Sequence, residues 1–167
     1  ERILEHWPEI GPLFGARAKT WADTWEGPEG WGAGVYEHVL HRADVGPGTA
    51  VLDCGCGAGR FVRLAADRGA TVAGIDAASE LIEIAASRTP EADLRTGDFV
   101  SLPWADGSFD LVTGFSTFQF AGDHVRALAE ARRVSRGDVW VVVPTRLAES
   151  AIPRVFTPLM TLFPPEV

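Results

Sequence analysis

Val51-Leu52-Asp53-Cys54-Gly55-Cys56-Gly57-Ala58-Gly59 is the stretch whose reading decides the fold. The short apolar run from Ala50 to Asp53 reads as a buried strand. The glycines after it read as a tight turn into a helix that opens at Arg60. Gly55, Gly57 and Gly59 let the backbone bend sharply and let a ligand come close. The helix start beyond them offers unpaired N–H groups and the positive end of a dipole. A lone glycine-rich turn can also be a plain strand-to-helix connection. The spacing narrows the choice. The glycines run G-x-G-x-G, not the G-x-G-x-x-G of a dinucleotide fingerprint, and no Gly-Lys-Ser or Gly-Lys-Thr of a phosphate loop is present. Asp53, just ahead of the glycines, would repel a pyrophosphate and attract an ammonium group.

Working outward, the same alternation repeats. Arg60 to Arg68 is predicted helical, with Phe61, Leu64 and Ala65 on one face and Gly69 at its stop. Thr71 to Ile75 is a second strand. Ser79 is expected to cap a helix carrying Leu81, Ile82, Ile84 and Ala85. Strands follow at Ala92–Arg95, Phe109–Phe115 and Val139–Val143. Between the last two, Asp123 is expected to cap a helix whose apolar face is Val125, Leu128 and Ala131. Upstream, Tyr36 to Ala43 is a short helix closed by Gly46-Pro47-Gly48. Residues 1–34, rich in Trp, Gly and Pro, form a helical arm or lid in which Trp21 and Trp25 share a helix face. Residues 35–167 form the ligand-binding core, and Ile152 to Leu162 is a predicted last helix. Strands alternating with helices imply an α/β, doubly wound, mostly parallel sheet covered on both faces. Right-handed crossovers put all the strand C-termini on one edge, where ligands bind.

The motif Asp53-Cys54-Gly55-Cys56-Gly57-Ala58-Gly59 resembles motif I of the class I S-adenosylmethionine-dependent methyltransferases, written D/E-x-G-x-G-x-G. Gly74-Ile75-Asp76 resembles the acidic end of strand two in that family, and Gly97-Asp98-Phe99 its adenine-contacting segment. The run from Leu102 to Asp110 resembles the entry to strand four in its ubiquinone and menaquinone branch. The resemblance covers roughly residues 35 to 143. It implies a Rossmann-like fold, S-adenosyl-L-methionine as cofactor, and transfer of its methyl group to a small-molecule acceptor by in-line displacement. The cofactor contacts it implies are Asp53, Gly55, Cys56, Gly57, Asp76, Ala77, Asp98, Phe99 and Phe115. Asp76 would take the ribose hydroxyls, Asp98 the adenine amino group, and the Phe99 amide the ring. Against these stand plainer roles: a helix-start carboxylate for Asp76, an Asx-turn for Asp98. Cys54 and Cys56 read as small residues in a tight place. Phe115, Ser116, Phe118, Gln119 and Phe120 would lie near the acceptor. His124 is a candidate general base, equally at home in the first turn of a surface helix.

The family sheet ends in an antiparallel hairpin after strand five. About 24 residues follow Val143 here, and they read as a helix and a Pro-rich tail, so the hairpin is expected to be missing: either the core is C-terminally incomplete, or the hairpin is lost or replaced. An uncovered edge strand invites pairing and leaves a homo-oligomer open. A net charge of −8 argues against a nucleic-acid partner. No stretch approaches the roughly 20 apolar residues of a membrane span. Two cysteines two residues apart make no disulfide framework, which favours a reducing, cytoplasmic setting, and no second cluster completes a metal site. Two alternatives remain open: a non-catalytic cofactor-binding or scaffold protein of the same fold, and an NAD-dependent oxidoreductase.

Overall fold

The computed structural model describes residues 7–30 and 32–143. Five parallel strands form one sheet in the order β3-β2-β1-β4-β5: β1 Ala50–Cys54, β2 Thr71–Asp76, β3 Asp93–Thr96, β4 Phe109–Phe115 and β5 Ser135–Val142. The chain winds from β1 outward to β3, then returns to the other side of β1 for β4 and β5. Direction therefore reverses between β1 and β4, and a crevice opens there at the carboxyl ends of the strands.

The period of two along each strand sorts side chains between two cores. Val51, Val72 and Leu111 face one side, under α3 (Ala33–Arg42) and α4 (Arg60–Asp67), with Phe61, Val62 and Leu40. Leu52, Ala73 and Val112 face the other, under α6 (His124–Val134), with Ala127, Ala131 and Val134. α5 (Ser79–Arg88) covers the β2–β3 end. The arm is two helices, α1 (Trp7–Gly15) and α2 (Ala18–Thr24), laid on α5. Gly11 permits this docking, because a Cβ there would collide with the Ala77 carbonyl oxygen.

Several local expectations shift. Ser79 is the first residue of α5, not its cap; Ala78 holds that place without a side-chain bond. Asp123 does cap α6, accepting from the Arg126 N–H at 2.9 Å. The buried face of α6 is Ala127, Ala131 and Val134, while Val125 is 80% exposed. Small residues let α6 lie close to the sheet, and the larger Val125 and Leu128 are left outside. β5 starts at Ser135, four residues earlier than expected, directly after α6. The pairing is irregular between Phe109 and Leu111, and Arg136 grips Asp110 with Nε and Nη2 at 2.7 and 2.8 Å. A charged pair with the neighbouring strand thus extends a segment whose apolar pattern begins only at Val139. The expected helix at 152–162, and the whole question of the hairpin, lie outside the described residues. Among the described residues no helix is long and apolar enough to cross a membrane.

Candidate cofactor cleft

The carboxyl edge of the sheet opens into a cleft of about 1130 Å³, counted out to its mouth. All nine residues assigned to cofactor contact from the sequence border it. The glycine turn forms its floor. Gly55 and Cys56 donate their N–H groups to the Ile75 carbonyl, at 2.7 and 3.1 Å, which fixes the turn on β2. Gly55 has φ +70° and Gly57 φ +56°, a left-handed conformation that favours glycine. Cys54 and Cys56 are buried free thiols, and burial pushes both well above their ordinary range, which disfavours the thiolate form. A Cβ on Gly74 would press on Cys56 Sγ at 2.8 Å, consistent with tight space as the reason for a small side chain.

Four carboxylates border this space. Asp76, at the end of β2, accepts from Gly57 N–H through Oδ2 and from Ala78 N–H through Oδ1, both at 2.9 Å. It thus ties the glycine turn to the residue ahead of α5, and it still borders the cleft. Burial raises its pKa, against the pull of these amides. Asp53 is 3% exposed and accepts from Thr113 Oγ1 at 2.8 Å. Burial pushes it up to about 7; the Thr113 bond opposes this, and Glu26 and Asp76 add to it. Glu26 comes from the arm. Asp98 makes the i to i+2 bond of an Asx-turn, accepting from Val100 N–H at 2.9 Å, and still borders the cleft beside Phe99. No Lys, Arg or His is among the described residues lining the cleft.

The opposite wall is aromatic. Trp21 and Trp25 stack with centroids 5.1 Å apart at 11°, as their spacing implied. Phe14 meets Trp21 edge-on at 5.4 Å and Phe120 at 5.9 Å. Phe115 anchors the base, 4.7 Å from both Tyr36 and Phe61. After β4, Ser116 takes φ +52°. Its Oγ and the Oε1 of Gln119 are buried without a partner, while Gln119 Nε2 donates to the Ser116 carbonyl at 2.8 Å. Ser116 lines the cleft, and its unpaired oxygen is suited to a ligand that donates a hydrogen bond, whereas Gln119 is not among the residues lining it. Phe118 faces the core with Leu52 and Val112 instead. His124 is exposed in the first turn of α6 and is not among the residues lining the cleft.

Sequence reasoning missed Glu26, Thr113 and the arm's Ile10 and Phe14. Thr113 was detectable as a lone hydroxyl in an apolar strand, and register pairs it with Asp53. Glu26 reaches residues 32 and 34 positions away, which no local spacing announces.

The fold and cleft define a doubly wound α/β core with an acidic, aromatic-walled ligand site at its switch point. Residues 52–143 match the methyltransferase domain family, and the chain belongs to that family. It is 35% identical over 118 residues to a probable S-adenosylmethionine-dependent methyltransferase of Mycolicibacterium smegmatis, covering 70% of this chain and 45% of that one. It is 34% identical to the demethylmenaquinone methyltransferase of Renibacterium salmoninarum, over 75% of this chain and 51% of that one. Among solved structures, a TehB-like SAM-dependent methyltransferase from Corynebacterium glutamicum is similar with a TM-score of 0.62 and 27% identity, over 75% of this chain and 72% of that one. The chain spans about half, or less, of the length of the curated relatives it matches.

Proposed function

We propose that this chain binds S-adenosyl-L-methionine in the acidic cleft and takes part in methyl transfer to a small-molecule acceptor. The observation that carries the reading is the set of carboxylates around the cleft. Asp53, Asp76, Glu26 and Asp98 border one cleft whose described lining holds no basic side chain. Such a site suits a ligand with an ammonium and a sulfonium, and disfavours one with phosphates. When bound, the cofactor supplies a methyl group already activated on a positively charged sulfur.

The chain's own residues have distinct parts in this reading. In it Asp76 accepts from the ribose hydroxyls, Asp98 and Phe99 hold the adenine, and the Gly55–Gly57 backbone receives the methionine end. Phe14, Trp21 and Trp25 shield the cleft from water, and the unpaired Ser116 Oγ orients an acceptor carrying an N–H or O–H group. Holding two reactants close and aligned contributes on the order of 7–11 kcal/mol in favourable cases. A transfer driven this way needs no dedicated base in the cleft, and the position of His124 is compatible with that.

An NAD-dependent activity is disfavoured by one feature. The start of α4, where a dinucleotide pyrophosphate would sit, already holds the Glu26 carboxylate. Calorimetric titration with S-adenosylhomocysteine, NAD in parallel, tests the reading. The expected result is micromolar binding of S-adenosylhomocysteine, no heat with NAD, and loss of binding in Asp76→Ala. A folded wild-type chain that ignores S-adenosylhomocysteine refutes it.

A further inference from the structure

We infer that Glu26 is the positioning residue of this cleft: its carboxylate occupies the start of α4 and ties the aromatic arm to the glycine turn in the form that receives the cofactor. This rests on the cofactor reading above. Glu26 lies two residues past α2 and is 5% exposed. Oε1 accepts from Trp21 Nε1 at 2.8 Å and Ala58 N–H at 2.7 Å. Oε2 accepts from Arg60 N–H at 3.0 Å and Arg88 Nη1 at 3.0 Å. One carboxylate thus joins three parts of the chain: the arm, the turn and the end of α5.

Arg88 completes the clamp. Its Nη1 also donates to the Ala58 carbonyl at 2.9 Å, and its Nη2 to the Ala22 carbonyl at 3.0 Å. The Ala58 residue is therefore held at its N–H by Glu26 and at its carbonyl by Arg88. The neighbouring Gly57 N–H is turned onto Asp76, so the clamp sets the orientation of the residues that line the cleft floor. The approach is close enough that a Cβ on Gly57 would collide with Glu26 Oε1 and lie 3.2 Å from Trp21 Nε1. The same Trp21 stacks on Trp25 in the cleft wall. Removing the carboxylate unpins the wall and the floor together, and leaves the amides of Ala58 and Arg60 without their acceptor.

The experiment compares the full chain with Glu26→Gln and Glu26→Ala. Gln keeps the shape but turns an NH2 group onto donors. Ala removes a fragment the size of acetate. Folding is checked by circular dichroism, cofactor binding by titration with S-adenosylhomocysteine, and arm docking by hydrogen exchange of residues 7–26 without ligand. Affinity is expected to fall about tenfold or more in both variants, as for charge-assisted bonds lost in a buried place. Sodium acetate, against a chloride control, is expected to recover Glu26→Ala but not Glu26→Gln, and arm exchange is expected to quicken in both. Two results overturn the inference: binding and arm exchange indistinguishable from wild type, or weakening that acetate leaves untouched in folded Glu26→Ala. If Glu26→Ala does not fold, Glu26→Gln decides by affinity and arm exchange. A wild-type chain that does not bind S-adenosylhomocysteine refutes the cofactor reading instead, and arm exchange alone then judges Glu26.

Discussion

Asp53 gives the chain a pH-dependent stability whose sign and size follow from its surroundings. It lies in β1 with 3% exposure, bonded to Thr113 Oγ1 at 2.8 Å. Burial holds its carboxyl at about 7, whereas in the unfolded chain an Asp titrates at about 3.9. Between these values the folded state carries a proton that the unfolded state has released. Stability from this group is therefore fully present below about 4 and is lost as pH rises through about 7. Each pH unit is about 1.36 kcal/mol, so the full span is at most about 4 kcal/mol, and about 2 kcal/mol of it falls between pH 5 and 7. Asp53→Asn retains an oxygen for the Thr113 hydroxyl and cannot ionise. Urea unfolding followed by tryptophan fluorescence at pH 5, 6, 7 and 8 measures the difference between the two proteins. Asn is expected to gain on wild type by about 2 kcal/mol from pH 5 to 7, then level off. The ion-paired Asp67, Asp93, Asp110 and Glu130 have lowered pKa values and slope the other way. They are common to both proteins and cancel. Stability curves that run parallel, within about 0.5 kcal/mol, would refute the account of Asp53.

Two further substitutions probe the frame around the cleft. Gly57→Ala places a Cβ in a left-handed conformation and against Glu26. It is expected to cost about 1–3 kcal/mol in urea unfolding and to abolish S-adenosylhomocysteine binding. Phe61, 1% exposed and packed against Tyr36 and Phe115, supports the cleft base from α4. Phe61→Ala is expected to cost about 3–5 kcal/mol, read from the same unfolding curves.

The strand and helix alternation was legible because its signals are local. Phe109–Phe115 reads as a strand from composition alone, and the glycine turn announces its own left-handed backbone. The nine residues that border the cleft were reachable because motif and strand ends fall close in sequence to the edge they build. What escaped depends on distance along the chain. Helix α6 offers two apolar stripes, and the sequence favours the one with larger side chains. The sheet accepts the alanines because only they allow close packing, a choice made by the partner surface. β5 begins early because Arg136 finds Asp110 on the neighbouring strand, a pairing that no period within residues 135–138 encodes. Glu26 is the extreme case. In the Trp-Glu-Gly-Pro stretch it reads as an ordinary loop carboxylate, and its meaning lies in amides that come to it only once α2 has docked.

The three deepest carboxylates differ in what compensates their burial, and the difference assigns them different work. Glu26 has four donors, including a guanidinium, so its charge is spent on holding the structure together. Asp76 has backbone amides that orient it at the border of the cleft. Asp53 has a single neutral hydroxyl and two acidic neighbours, and its proton becomes labile near neutrality. A buried carboxylate in that condition is short of one partner, and a cation entering the cleft would supply it. An ammonium or sulfonium would favour the ionised form of Asp53 and expel its proton, while an anion would do the reverse. The residue that makes the fold lose stability as pH rises is therefore the same one that would make it favour a cationic ligand. The sequence order Asp53-Cys54-Gly55 thus joins two features at one strand end: a glycine backbone that leaves room, and beneath it a buried carboxylate whose charge state would answer to the charge of what enters.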